Sequence, residues 1–109
     1  MNSPILAIDL DGTLLAGAEI PQANIDALQA AVARDYTIAI ATARWHQMAS
    51  EVLERAGVPG FIIGCNGAHI YEPSSQRDLL DLRIDLQLAN AVMDRARAFG
   101  GLLTATFEN

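Results

Sequence analysis

Two aspartates stand two residues apart, directly after a short apolar run. Ile5–Ile8 is apolar without alternation, as in a strand buried within a parallel sheet, and Asp9-Leu10-Asp11-Gly12-Thr13 follows it. A carboxylate at the end of a strand can attack phosphorus, while a second one donates a proton to the leaving oxygen and then activates water. Gly12 allows the backbone to turn, so that both carboxylates can face one pocket. The alternative interpretation is an Asp-Gly surface turn whose carboxylates are incidental.

Polar residues also follow the next two apolar segments. Thr42-Ala43-Arg44 comes after Tyr36–Ala41, and Asn66-Gly67 comes after Phe61–Ile63. Ligands of open parallel sheets gather outside the carboxyl ends of the strands. We therefore expect Asp9, Thr42 and Asn66 to converge on one crevice.

The segments between these strands have helical patterns. Ile25, Leu28 and Val32 recur at helical spacing, and a second helix is predicted over His46–Ala56, with Gly57 placed to end it. The order β-α-β-α-β over the first 65 residues or so predicts an α/β fold, a three-layer Rossmann-like parallel sheet with right-handed crossovers.

The rest of the chain has an α+β pattern. We predict a hairpin from His69–Tyr71 and Leu79–Ile84, a helix from an N-cap at Asp85 through Phe99, and a strand over Leu102–Phe107. The predicted domains are residues 1–70, an α/β core, and residues 71–109, the beginning of an α+β domain. Because a domain rarely ends flush with a strand, we expect the chain to be the N-terminal part of a longer protein.

Three short motifs, in this order, resemble those of the haloacid dehalogenase (HAD) superfamily. Asp-Leu-Asp-Gly-Thr resembles its motif I, and Ala-Thr-Ala-Arg at 41–44 resembles its motif II, although the Cof-like branch commonly has Gly where Ala43 stands. Asn-Gly-Ala at 66–68 is similar to the signature with which Cof-like phosphatases lead into an inserted α+β cap. An Asn-Gly turn of the kind found in hairpins is compatible with the same residues.

The resemblance implies roles for these positions. Asp9 would be the nucleophile and Asp11 the general acid and base of an Mg²⁺-dependent phosphatase that acts through an aspartyl-phosphate. Mg²⁺ would bind an Asp9 oxygen and the Asp11 backbone carbonyl. The expected phosphate-binding residues are Thr42, Ala43, Arg44, Asn66 and Gly67. The Arg44 guanidinium either binds the phosphate bidentately or caps the pocket wall as a solvated charge.

The chain also departs from the family pattern. It contains no lysine, whereas motif III of the family uses a lysine or occasionally an arginine, and the acidic motif IV is absent as well. Because phosphoryl transfer depends on charge neutralisation, we expect this chain to be inactive, or nearly so, by itself. The alternatives to a phosphatase of small phosphorylated metabolites, such as sugar phosphates, are a related phosphomutase and a non-catalytic remnant that binds phosphate or a partner.

Composition narrows the possible partners and the compartment. A net charge of -6 and a pI near 4.6 argue against nucleic acid and anionic membranes, and no stretch has the length of a membrane span. The partner expected is a small phosphate ester. The lone Cys65 fits a reducing cytoplasm, and the excess of arginine and alanine suggests a bacterial source.

Unpaired sheet edges and apolar surface predict self-association. Trp45 and His46 are expected to cover the sheet edge rather than to bind a ligand, and His69 alone cannot make a metal site.

Overall fold

The computed structural model describes residues 3–101 and residue 105. Within them, one five-stranded sheet has the order β1-β2-β3-β4-β5. The strands are β1 (Ile5–Asp9), β2 (Thr37–Ala41), β3 (Phe61–Gly64), β4 (His69–Glu72) and β5 (Arg77–Asp81), and the helices are α1 (Gln22–Ala33), α2 (Gln47–Ala56) and α3 (Leu86–Arg97). A single 3₁₀ turn, Cys65–Gly67, joins β3 to β4. The α/β Rossmann-like class predicted from the sequence is confirmed.

The first three strands are parallel, and their carboxyl ends lie side by side. Asp9 pairs with Ala41 across β1 and β2, and Ala41 pairs with Ile63 across β2 and β3. This register aligns the three polar segments that follow the strands along one edge of the sheet, as the β-α-β-α-β order predicts. The predicted strands of this region match the observed ones to within a residue or two at each end.

The core lies between the sheet and the first two helices. Helices α1 and α2 contact each other, which places them on the same face of the sheet. Apolar side chains from both layers fill the space between them. The largest side chains that are fully buried are Leu10, Leu28, Ile38, Ile40 and Ile62. The sheet and this helical layer are two of the three layers predicted.

Two predicted helix boundaries have the expected local geometry. Gly57 follows α2 with a φ of 66°, the left-handed conformation that commonly ends a helix. The Asp85 side chain accepts a hydrogen bond of 3.2 Å from the Leu88 backbone N–H, and so it caps α3. No helix of the described ranges combines the length and apolar character needed to cross a membrane.

The predicted hairpin continues the same sheet. Strand β4 pairs antiparallel with β3 on one side and with β5 on the other. The domain boundary predicted between residues 70 and 71 lies within β4, and the division into two domains stays a prediction. The strand predicted over Leu102–Phe107 lies outside the described residues, apart from Ala105.

Candidate functional site

Both aspartates lie at the surface, Asp9 as the last residue of β1 and Asp11 in the loop that follows. Between them Leu10 is completely buried, so Asp9 and Asp11 point away from the core on either side of it. Backbone hydrogen bonds close the loop, including one of 2.9 Å from Leu15 N–H to the Leu10 carbonyl. Gly12 has a φ of 76°, which confirms that the turn needs a conformation that glycine adopts without strain.

The loop after β2 orients a buried hydroxyl group. Thr42 is 7% exposed, and its backbone N–H donates to the Ile63 carbonyl at 2.9 Å. Its hydroxyl oxygen accepts a hydrogen bond of 3.1 Å from the Arg44 backbone N–H. Because that bond uses an oxygen lone pair, the hydroxyl proton is left to donate to a ligand.

Arg44 forms a bidentate ion pair with Asp11. Its Nε–H donates to one Asp11 carboxylate oxygen at 2.8 Å, and Nη2 donates to the other at 3.0 Å. Both side chains are about half exposed, at 52% and 48%. The hydrogen bonds and the charge of Asp11 raise the pKa of the Arg44 guanidinium above its ordinary value. Neither role expected for Arg44 from the sequence included this contact with Asp11.

The 3₁₀ turn after β3 is joined to the loop that carries Arg44. Cys65 N–H donates to the Arg44 carbonyl at 2.9 Å, and Asn66 N–H donates to the Thr42 carbonyl at 3.2 Å. Cys65 and Asn66 have φ values of 51° and 55°, left-handed conformations that cost a non-glycine residue about 1–3 kcal/mol each. Such strained positions concentrate at functional sites, and Gly67 completes the turn with a φ of 97°.

The structure therefore brings most of the predicted residues to one edge. Asp11 and Arg44 touch, Thr42 holds the loop of Arg44, and Asn66 is bonded to Thr42 through the backbone. Asp9 ends the strand next to β2, Ala43 is exposed within the same loop, and Gly67 follows Asn66 in the turn. The roles assigned to these residues by resemblance stay predictions.

The site offers oxygen donors to a divalent cation. Among residues 3–101 no cluster of three or more His, Cys, Asp or Glu side chains could hold a metal. Mg²⁺ usually takes only one or two carboxylates from a protein and completes its shell with water and substrate phosphate. The Asp9 carboxylate and the Asp11 backbone carbonyl are donors of the right chemistry for that arrangement.

Four rings pack beside the site and form what we call the ring array, Trp45, His46, His69 and Tyr71. Trp45 stacks on His69 with ring centroids 4.3 Å apart, and His46 stacks on Tyr71 at 3.9 Å. Pairs of stacked aromatic side chains contribute about 0.5–1.5 kcal/mol beyond their burial. The sequence predicted that Trp45 and His46 pack over the sheet edge, but it gave no sign that they form one cluster with His69 and Tyr71.

Polar neighbours hold the two histidines of the ring array. His69 Nε2 lies 2.7 Å from an Asp78 carboxylate oxygen of β5, and His46 Nδ1 lies 3.0 Å from the Ser50 hydroxyl of α2. The His69 Nδ1 atom is buried and has no protein partner. Burial lowers the pKa of His46, the charge of His69 lowers it further, and Asp78 opposes both effects.

Comparison with known proteins places the chain in a family. Residues 6–109 match the model of the haloacid dehalogenase-like hydrolases, and the chain belongs to that family. It is 33% identical over 73 residues to phosphatase YwpJ of Bacillus subtilis, a match that covers 66% of this chain. The chain spans 26% of the length of the curated relatives that it matches.

Solved structures of the same family share the fold. A haloacid dehalogenase-like hydrolase from B. subtilis superposes with a TM-score of 0.76 and 29% identity over 88% of this chain and 34% of its own. The HAD subclass IIB sugar phosphatase BT4131 gives a TM-score of 0.71 and 28% identity, covering 90% of this chain and 38% of its own. The resemblance noted in the sequence to this superfamily, and to its Cof-like hydrolases, is confirmed.

Proposed function

We propose that this chain provides the nucleophile and part of the phosphate-binding site of a phosphatase that acts on small phosphate esters. The observation that carries the proposal is the contact between Arg44, from the loop after β2, and Asp11, from the loop after β1. This contact places the Arg44 guanidinium, whose planar fork fits a phosphate, next to the Asp11 carboxylate that would act as general acid and base. Both groups lie at the strand end that carries Asp9.

The proposed reaction has two steps. The Asp9 carboxylate attacks phosphorus, the bond from phosphorus to the ester oxygen breaks, and that oxygen leaves as an alcohol with a proton from Asp11. Water then gives a proton to Asp11 and attacks the phosphorus of the aspartyl-phosphate. The bond from phosphorus to the Asp9 oxygen breaks, so that inorganic phosphate is released and the Asp9 carboxylate is restored. Splitting hydrolysis in this way replaces one difficult displacement by two easier ones.

Arg44 would change partner when substrate binds. Asp11 cannot present a proton to the leaving group while both of its oxygens accept hydrogen bonds from the guanidinium. The same fork of N–H groups fits two phosphate oxygens, so an incoming phosphate competes with Asp11 for Arg44. In this scheme Arg44 binds the phosphate and frees Asp11 in the same movement.

The remaining phosphate contacts would come from the other two loops. The Thr42 hydroxyl has a proton to donate, and the strained turn at Asn66 and Gly67 exposes backbone close to it. Ala43 lies between Thr42 and Arg44 and would contribute its backbone. Hydrogen-bond donors that are fixed before the substrate arrives stabilise the charge of phosphoryl transfer at no cost in reorganisation.

Magnesium would be held by the Asp9 carboxylate and the Asp11 backbone carbonyl. When bound, it would neutralise charge on the phosphate, as magnesium does in phosphoryl transfer generally. These two ligands are a small part of an octahedral shell, and the chain has no lysine to add a second cation. We therefore expect the 109-residue chain to turn over slowly at most.

The substrate class is supported by the surface beside Arg44. An open groove of about 390 Å³ runs from Arg44 past Trp45 and Met48, with Gln47 and Glu51 on its wall. An aromatic ring flanked by an amide and a carboxylate suits a leaving group rich in hydroxyls, and BT4131 is named a sugar phosphatase. Sugar phosphates are therefore the substrates to test first. A second candidate is a non-catalytic remnant that binds phosphate, because the guanidinium fork of Arg44 fits a phosphate whether or not turnover follows.

The test is Mg²⁺-dependent release of phosphate from an aryl phosphate at high protein concentration, combined with mass spectrometry of the protein. We expect slow release and a phosphorylated Asp9 in the wild type, and neither in Asp9→Asn. Asp26→Asn is the matched control, because Asp26 is an exposed carboxylate on α1 that accepts a hydrogen bond from Gln22 of the same helix. Equal release by wild type and Asp9→Asn would contradict the proposal, and a wild type that neither releases phosphate nor carries it on Asp9 would favour the binding remnant.

A further inference from the structure

The loop that carries Arg44 is fixed on two sides. On one side, Thr42 N–H and the Arg44 carbonyl form hydrogen bonds with the end of β3 and the turn after it. On the other side, the next two residues of the chain, Trp45 and His46, are half-buried in the ring array. Arg44 itself has its side chain half exposed to solvent.

We propose that the ring array positions Arg44 for its contact with Asp11 and, if the proposed function holds, for binding the substrate phosphate. Its members are positioning residues, because they act through the arginine loop and do not touch the reacting atoms. The role depends on two stacked pairs, in which Trp45 and His46 beside the loop stack on His69 and Tyr71 of β4.

The ion pair is too exposed to hold the loop without help. Water screens the attraction between half-exposed charges, and ordering a long arginine side chain costs conformational entropy. The ring array has a buried member, since His69 has 3% of its side chain exposed and stacks on the Trp45 ring. The stacking of Trp45 on the buried His69 therefore sets the position of the arginine loop, and the exposed ion pair between Arg44 and Asp11 follows from that position.

The ring array is itself fastened to neighbouring elements. Asp78 on β5 holds His69, and Ser50 on α2 contacts the His46 ring while its hydroxyl donates to the His46 carbonyl at 2.9 Å. The planes of the two histidine rings are therefore set by polar contacts in addition to stacking. Through Asp78, a displacement of the β4–β5 hairpin would be transmitted to Trp45 and so to Arg44.

The Arg44 Nε–H resonance in a ¹H–¹⁵N NMR spectrum reports directly on the positioning. A hydrogen bond to a carboxylate separates this signal from those of solvated arginines. The signal is assigned by its disappearance in Arg44→Lys and its displacement in Asp11→Asn. We expect Trp45→Leu to move it to the position of solvated arginines, and Trp45→Phe, which keeps a ring on His69, to restore most of its displacement.

Two further variants keep the result decisive. Tyr36→Leu removes an aromatic side chain outside the ring array, and we expect it to leave the Arg44 signal unchanged. If Trp45→Leu does not fold, as judged by amide dispersion, then Asp78→Asn, which retains all four rings, is expected to shift the signal part of the way.

An Arg44 signal that stays in its wild-type position in a folded Trp45→Leu variant would overturn the proposal. So would an unchanged signal in Asp78→Asn if Trp45→Leu does not fold. The measurement needs neither substrate nor turnover. A failure of the phosphatase assay would therefore leave this result intact, and a failure here would leave the proposed chemistry of Asp9 untouched.

Discussion

Arg44 donates two parallel hydrogen bonds to the carboxylate of Asp11, a residue 33 positions earlier in the chain. The contact is possible because the parallel register sets Asp9 beside Ala41 and so brings the loops after β1 and β2 together. A planar guanidinium matches a carboxylate or a phosphate equally well. The pair therefore holds the Arg44 guanidinium in a geometry that, under the proposed function, a phosphate would take over.

Arg44→Lys tests whether the fork of the guanidinium matters. A lysine keeps the charge but cannot donate two parallel hydrogen bonds, so we expect affinity for inorganic phosphate to fall on the order of tenfold. Because the ion pair is exposed, the unfolding midpoint is expected to change little. Calorimetric titration with phosphate and thermal unfolding measure the two quantities. Arg55→Lys, an exposed substitution in the last turn of α2, is the control, and an equal loss of affinity in both variants would contradict the role of Arg44.

Gly64→Ala tests the close approach of the arginine loop to the end of β3. A Cβ atom on Gly64 would lie 3.0 Å from the Arg44 carbonyl oxygen, too close for the loop to keep its place. Overpacking of this kind costs about 1–3 kcal/mol, and we expect that loss in the free energy of unfolding measured with urea.

The control for Gly64→Ala is Gly101→Ala, because a Cβ atom there meets nothing within 4 Å. It should leave the free energy of unfolding nearly unchanged. Equal stability of the two variants would mean that the loop can move away from β3 freely, which is incompatible with the close packing described.

Acidification should weaken the fold through His46. Its pKa lies below the ordinary value of 6.5 in the folded chain, mainly because burial disfavours the charged ring. The unfolded state then binds more protons than the folded state just below pH 6.5, so the free energy of unfolding decreases as the pH falls through that range. The decrease ends below the lowered pKa, where both states are protonated.

Urea unfolding at a series of pH values checks this expectation. His46→Gln removes the titrating ring, and its stability should depend less on pH between 6.5 and the lowered pKa of the wild type. The pKa of Asp81 is also lowered, chiefly by its hydrogen bond to Arg83, but its effect falls below pH 3.8 and does not overlap. Identical pH dependence in wild type and His46→Gln would refute the assignment.

Much of this arrangement follows from local sequence patterns, and the rest depends on contacts between distant residues. Apolar runs, helical spacing and the glycine after α2 predict the first three strands and two helices, and the edge where Asp9, Thr42 and Asn66 meet. The pairing of Arg44 with Asp11 needs the strand register, which no local pattern contains. The predicted parallel order of the strands did indicate that the loops after β1 and β2 lie side by side.

The ring array was harder to foresee for a related reason. Trp45 and His46 are adjacent at the start of a helix, and His69 and Tyr71 alternate on a strand, so each pair is ordinary in its own segment. They stack only because β4 turns back antiparallel beside β3, next to the loop that follows β2. Antiparallel addition to a parallel sheet is not encoded by the apolar periodicity of β4, whose residues suit either direction.

The last prediction is that the chain associates with itself. Large apolar side chains are exposed on β1 and around α3, among them Ile5 at 69%, Ile84 at 69% and Phe99 at 87%. Within the described residues the outer edge of β1 pairs with no other strand, and exposed edges and apolar patches both favour association. Gel filtration with light scattering should give a mass above the 11.7 kDa of one chain. We expect the double variant Ile84→Asp/Phe99→Asp to move the mass towards the monomer, while Tyr36→Asp, at a less exposed position, should not. A wild-type mass of one chain at all concentrations would contradict self-association and would mean that these apolar surfaces stay exposed to water.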